Sequence, residues 1–287
     1  MPRQRSVAAC LTAALAIGAL AWASQASAQS SAQGSAQAAA APATVTLCTT
    51  IDLCYCVNTV YRDRIDANVA RVRRLIADNR QQGRAVGYLS VPISPAGGGY
   101  APYNILAAGD MVADVESRFG RRAVFVLNPA AEGGKEMEGA SGADYMYMWT
   151  TILEGAKGLG EDFDFFYFAG PSDFAMAFRL PDIGSLEVLD DYFDARLQDD
   201  PKFKAAVDSG AVTKPGFRNY YGLRAAVSFS LGSHDEWNIA RLLNERRRGA
   251  DEFGIARQLP ILFDGQAVSP GSYEAPIASG DVGRCIN

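Results

Sequence analysis

From residue 58 onward the apolar positions of the chain follow two periods in turn. Ile65, Val69, Val72 and Ile76 recur at spacings of four, three and four, the stripe of an amphipathic helix over 58–82 whose arginines and aspartates take the solvated face. Residues 85–91 are then almost continuously apolar, as a strand buried on both faces would be. Ile105, Ala108, Val112, Val115 and Phe119 mark a second helix that stops at Gly120, and 123–127 is a second strand. Residues 144–156 are apolar and aromatic all round, so that helix is expected to be buried or to line a pocket, with Glu154 facing solvent. A third strand follows at 162–168. Helices at 186–197 and 202–207 are broken by Asp199-Asp200-Pro201, and a fourth strand is expected at 224–231. Ser233 and Glu236 are spaced as a capping box for a helix over 237–248, and 259–263 reads as a fifth strand. Strands alternating with helices predict a single α/β domain of three layers, with a mostly parallel sheet of about five strands.

The stretch 83–132 carries the most information. It reads as strand, glycine-rich loop, helix and strand, which is one βαβ unit. Within it stand Tyr88-Leu89-Ser90-Val91-Pro92-Ile93, then Tyr103-Asn104 at the helix start, then Val126-Leu127-Asn128-Pro129-Ala130. These fifty residues resemble the first βαβ unit of the nucleoside 2-deoxyribosyltransferase-like superfamily. The resemblance implies a flavodoxin- or Rossmann-like sheet and a site for a nucleoside, nucleotide or phosphorylated sugar at the strand ends. Two departures accompany it. Ser90-Val91-Pro92 stands where members show small-Gly-Pro. After the third strand, members that cleave glycosidic bonds carry Ser-x-Gly-Ala-x-x-Glu with the glutamate as nucleophile, whereas this chain has Ser172-Asp173-Phe174-Ala175-Met176-Ala177. Only Asp173 could supply a carboxylate there.

In open α/β sheets ligands bind beyond the C-terminal strand ends. Topology and resemblance together therefore nominate Ser90, Ser94, Gly98, Tyr100, Asn104, Asn128, Ser172 and Ser233 as ligand-binding residues. Asp173 and His234, the one histidine of the chain, are the catalytic candidates. The glycines at 97–99 could admit an anion to a helix N-terminus, but they do not make a phosphate fingerprint, and no cofactor is called for. Adjacent Ser233, His234 and Asp235 cannot converge as a triad, and no G-x-S-x-G elbow occurs, which argues against an α/β-hydrolase reading.

Residues 1–28 carry Arg3 and Arg5, an apolar run too short to span a bilayer, and Ala26-Ser27-Ala28: the pattern of a cleaved export signal, leaving no membrane anchor. Residues 29–44, nearly all Ala, Gln, Ser and Gly, read as a disordered leader before a domain over 45–287. Removing Arg3 and Arg5 leaves 25 basic against 32 acidic residues, a net charge of −7, which gives no nucleic-acid footprint. A small-molecule ligand is the expected partner, in a periplasmic or secreted setting. There the four cysteines Cys48, Cys54, Cys56 and Cys285 favour two disulfides over a metal site or redox centre. Because a Cys54–Cys56 ring would be strained, one of that pair should join Cys48 and the other Cys285. The leading expectation is thus an exported α/β protein with a small-molecule site, performing N-glycosidic transfer or hydrolysis. The alternative is a non-catalytic periplasmic binding or envelope scaffold.

Overall fold

The computed structural model describes residues 43–94, 97–134, 136–181, 185–222, 230–249, 258–268, 276 and 278–286. The expected signal, all but the last two residues of the leader, and positions 224–229 of the expected fourth strand lie outside them. The order of elements is β1 (Thr44–Cys48), β2 (Cys54–Asn58), α1 (Arg62–Gln81), β3 (Ala85–Ser90), α2 (Ala101–Phe119), β4 (Val124–Leu127), α3 (Pro129–Glu132), α4 (Gly142–Glu154) and β5 (Phe165–Phe168). Then come α5 (Pro171–Ala177), α6 (Leu186–Asp199), α7 (Pro201–Asp208), α8 (Lys214–Gly222), α9 (Leu231–Gly249), β6 (Ile261–Phe263) and β7 (Gln266–Ala267).

The main sheet has the order β4-β3-β5-β6-β7, parallel except for its last edge. From β3 the chain crosses through α2 to β4 on one side, then returns through α4 to β5 on the other. Diverging connections of this kind open a crevice at the strand ends. Strand β5 (Phe-Phe-Tyr-Phe) is buried along its whole length, as expected of a parallel strand covered on both faces.

Two apolar clusters sandwich the sheet. One gathers Ile65, Val69, Val72 and Ile76 of α1 with Met146, Met148, Trp149 and Ile152 of α4 and Ile239 and Leu243 of α9. The α1 stripe is buried at all four positions. Each such side chain stabilises the fold by about 1.5–3 kcal/mol relative to an exposed one. The other cluster is aromatic, packing Tyr103, Phe178, Phe193, Phe203, Phe217 and Tyr221 between α2, α5 and the α6–α8 helices.

Three expectations need correction. Thr44 opens a strand instead of closing a disordered leader, because β1 and β2 form an antiparallel hairpin. Leu231 belongs to α9, which starts six residues before the expected 237. Glu154 is buried, not solvated, since its Oε2 accepts the Ile51 N–H at 3.1 Å and closes the hairpin turn onto α4. The disulfides are Cys48–Cys54, across the hairpin, and Cys56–Cys285, which joins the hairpin to a chain position 229 residues away. Among the described residues no helix is long and apolar enough to cross a membrane.

Candidate functional site

A cavity of about 640 Å³ lies at the C-terminal ends of β3 and β4. That is a volume suited to a drug-sized ligand. The segment after β3 contributes Val91, Ile93 and Ser94, and the segment after β4 contributes Pro129, Ala130 and Gly133. From α4 come Gly142, Tyr145, Met146 and Trp149, while residues 230–233 and Glu236 enter from the start of α9. The C-terminal tail adds Asp281.

Helix α4 is aimed here by its N-terminus. Ser141 Oγ accepts the Asp144 N–H at 3.2 Å and Asp144 Oδ2 accepts the Ser141 N–H at 2.8 Å, which closes a capping box. Asp144 also accepts from the backbone and side chain of Asn58, which seats α4 on the hairpin.

Two carboxylates are among the described lining residues, Glu236 and Asp281, and Glu236 is the more deeply buried. Tyr88, on β3, donates to its Oε1 at 2.5 Å. Burial pushes the Glu236 carboxyl up to about 7, with Asp235 adding to the rise and the Tyr88 and Ser90 hydroxyls opposing it. The Ser90 Oγ is buried near this carboxylate without reaching hydrogen-bond geometry with any described residue. Ser233 Oγ, on the cavity wall and 2% exposed, likewise makes no hydrogen bond to any described residue. The Tyr88 phenol is itself held well above its ordinary pKa by burial and by the neighbouring carboxylate, so it stays a donor at neutral pH. A buried carboxylate that titrates near neutrality beside a fixed donor can act as acid, base or nucleophile.

Of the residues nominated from the sequence, Ser90, Ser94 and Ser233 are at or beside this cavity. Asn104 stands one layer behind. Its Nδ2 donates to the Ile93 and Ser94 carbonyls at 3.2 and 3.3 Å, and its Oδ1 accepts from Tyr221 at 2.5 Å, so it holds the segment after β3 in place. Tyr100 packs in the aromatic cluster, with its N–H donated to Tyr221 at 3.1 Å. Gly98, at φ +112°, lies where a Cβ would come within 2.5 Å of the Gly216 carbonyl, a close backbone approach to α8. Asn128 caps α3 by accepting the Ala130 N–H at 2.9 Å. Ser172 bonds through N–H and Oγ to Asp264.

The two catalytic candidates do not line the cavity. Asp173 is buried on the far face of the sheet, where Oδ1 accepts from Tyr167 at 2.8 Å and Oδ2 from the Gly170 N–H at 2.9 Å. Both oxygens are occupied in fixing the turn into α5. His234 lies in the first turn of α9 with Nδ1 2.9 Å from the Ala278 carbonyl, so its ring is turned to the tail.

Glu236 is the residue that sequence reasoning missed as a candidate. Its assignment to a capping box fails because α9 begins at Leu231, which puts position 236 inside the helix and frees its side chain to turn to Tyr88. The available signal was one of spacing. Ser230-Leu231-Gly232-Ser233-His234-Asp235-Glu236 has the Ser-x-Gly-small-x-x-Glu pattern sought after the third strand, with Ser233 in the alanine place, on a later helix. Comparison of the chain with protein-family models, curated proteins and solved structures finds no match. Among the described residues no group of His, Cys, Asp and Glu is arranged to hold a metal ion.

Proposed function

We propose that the chain is an exported protein whose cavity takes a nucleoside, nucleotide or phosphorylated sugar and cleaves or transfers its N-glycosidic bond, with Glu236 as the nucleophile. The observation that carries this reading is the Tyr88–Glu236 pair at the cavity wall. Both members fall within segments that resemble the deoxyribosyltransferase-like superfamily: Tyr88 in the first βαβ unit, and Glu236 at the end of the Ser-x-Gly-small-x-x-Glu spacing. The apolar run within residues 1–28 and the two disulfides support export.

In the reaction a Glu236 oxygen attacks the anomeric carbon as the C–N bond breaks. The base leaves with the bonding pair and takes a proton from solvent. Water or an acceptor base then attacks the same carbon and returns the carboxylate. Tyr88 holds the attacking group in orientation and keeps its charged form available. Because Glu236 must be ionised to attack, turnover rises with pH through about 7. A non-catalytic scaffold fits less well, since Glu236 and Asp281 place carboxylates on a wall that also carries Ser94, Ser230 and Ser233. The test is chromatographic detection of free base from a panel of nucleosides and nucleotides. Release by the wild type and its loss in Glu236→Gln support the reading, whereas release that survives Glu236→Gln rejects it.

A further inference from the structure

The fifth contributor to the cavity is a length of tail far from the other lining residues in sequence, and it is held in place at several points. Asp235, buried in the first turns of α9, accepts from Ser279 Oγ, from the Gly280 N–H at 3.0 Å and from the Asp281 N–H at 3.0 Å. Further along, the Gly283 N–H donates to the Cys54 carbonyl and the Cys285 N–H to Thr46 Oγ1, before the Cys56–Cys285 disulfide ends the run. The Asp281 side chain rests over the start of α4. Any Cβ at position 142 would stand 2.4 Å from its Oδ1, so the glycine there is what admits the carboxylate. Such a tether fixes backbone and side chain together, in the way that precise recognition of a ligand requires.

We propose that Asp281 is the recognition group of this cavity and makes it selective for an unphosphorylated ligand, a nucleoside in preference to a nucleotide or sugar phosphate. The inference rests on the glycosidic reading of the same site and narrows it. Asp281 and Glu236 put two carboxylates on one wall, and none of the described lining residues is Lys, Arg or His. A phosphate dianion entering between apolar walls meets like charge at short range, where screening is weak. A sugar hydroxyl or base amino group instead donates to Asp281, and the buried Ser233 Oγ, which has no partner among the described residues, offers a second hydrogen bond.

The experiment is calorimetric titration of the full-length oxidised protein with the common nucleosides and their 5′-monophosphates. At least one nucleoside is expected to bind at least tenfold more tightly than its monophosphate, a gap that narrows as ionic strength rises. Asp281→Asn should weaken nucleoside binding at least tenfold and shrink the gap, with the Cys56–Cys285 bond intact by peptide mapping and the melting temperature without ligand unchanged. A monophosphate that binds as tightly as its nucleoside overturns this inference and leaves the glycosidic reading standing. Failure of both ligand classes to bind at millimolar concentration overturns both. If Asp281→Asn leaves both affinities unchanged, the assignment of Asp281 is wrong. The wild-type ratio needs no variant, so it decides the selectivity even if that substitution perturbs folding.

Discussion

On opposite faces of one sheet, two strand tyrosines each donate a hydrogen bond to a carboxylate near the start of a helix. Tyr167 of β5 pairs with Asp173 at 2.8 Å and Tyr88 of β3 with Glu236 at 2.5 Å. Both carboxylates are buried and both have their pKa raised by burial. They differ in their surroundings. Asp173 spends its second oxygen on the Gly170 N–H, within three residues of itself, and looks onto packed aromatic side chains. Glu236 looks into a cavity whose wall includes Ser233, a hydroxyl with no hydrogen-bond partner among the described residues. A buried carboxylate with both oxygens committed is a structural cap. One with a face open to a ligand-sized space is chemistry held ready.

The comparison breaks most plainly on turnover. Glu236→Gln should lower the rate of base release on the order of 10³-fold, as loss of a nucleophile does, while Asp173→Asn should leave it within about threefold; steady-state rates on one nucleoside decide. Stability should respond in the reverse sense. Asp173→Ala strands the Gly170 N–H and the Tyr167 hydroxyl in the interior and should cost about 3 kcal/mol in denaturant unfolding.

The pH dependence of stability sharpens the contrast further. Glu236 rises from 4.5 in the unfolded chain to about 7 in the fold, so the native state holds a proton that the unfolded state has lost. Its contribution is fully present below about pH 4.5, falls away as pH rises through 7, and amounts to about 3 kcal/mol over that window. Facing it are Tyr88, Ser90 and Asp235, with Asp281 on the same cavity. In Glu236→Gln that fall should be missing from unfolding curves measured between pH 5 and 8, and at pH 8 the variant should be the more stable protein. The smallest expected effect belongs to Tyr88→Phe. Removing the donor that favours the charged carboxylate should shift the acid limb of the pH–rate profile upward and reduce turnover at neutral pH about tenfold.

Much of the framework was legible from periodicity. The α1 stripe is present, and a strand forms within each of 85–91, 123–127, 162–168 and 259–263, since each depends on residues close in sequence. The cysteine argument narrowed the pairings to two, and the structure selects Cys48–Cys54 with Cys56–Cys285 because the β1–β2 register sets Cys48 opposite Cys54. The site was less legible. Asp173 drew attention because it stood where a nucleophile was sought, yet its partners are local. The Tyr88–Glu236 contact spans 148 positions, and no local pattern announces it. Ser233 and Glu236 fit a capping box so well that a helix start was read there, when the helix had begun at Leu231. Asp281 was invisible for a similar reason, arriving from a Gly- and Ser-rich tail whose position is set by Asp235 and a disulfide.

The most direct measurement is mass spectrometry of the wild-type protein quenched during turnover of a nucleoside and digested with a protease. The account predicts a glycosyl ester on the peptide that contains Glu236, absent from the Glu236→Gln protein. Turnover accompanied by an adduct on Asp173 or another residue would contradict it.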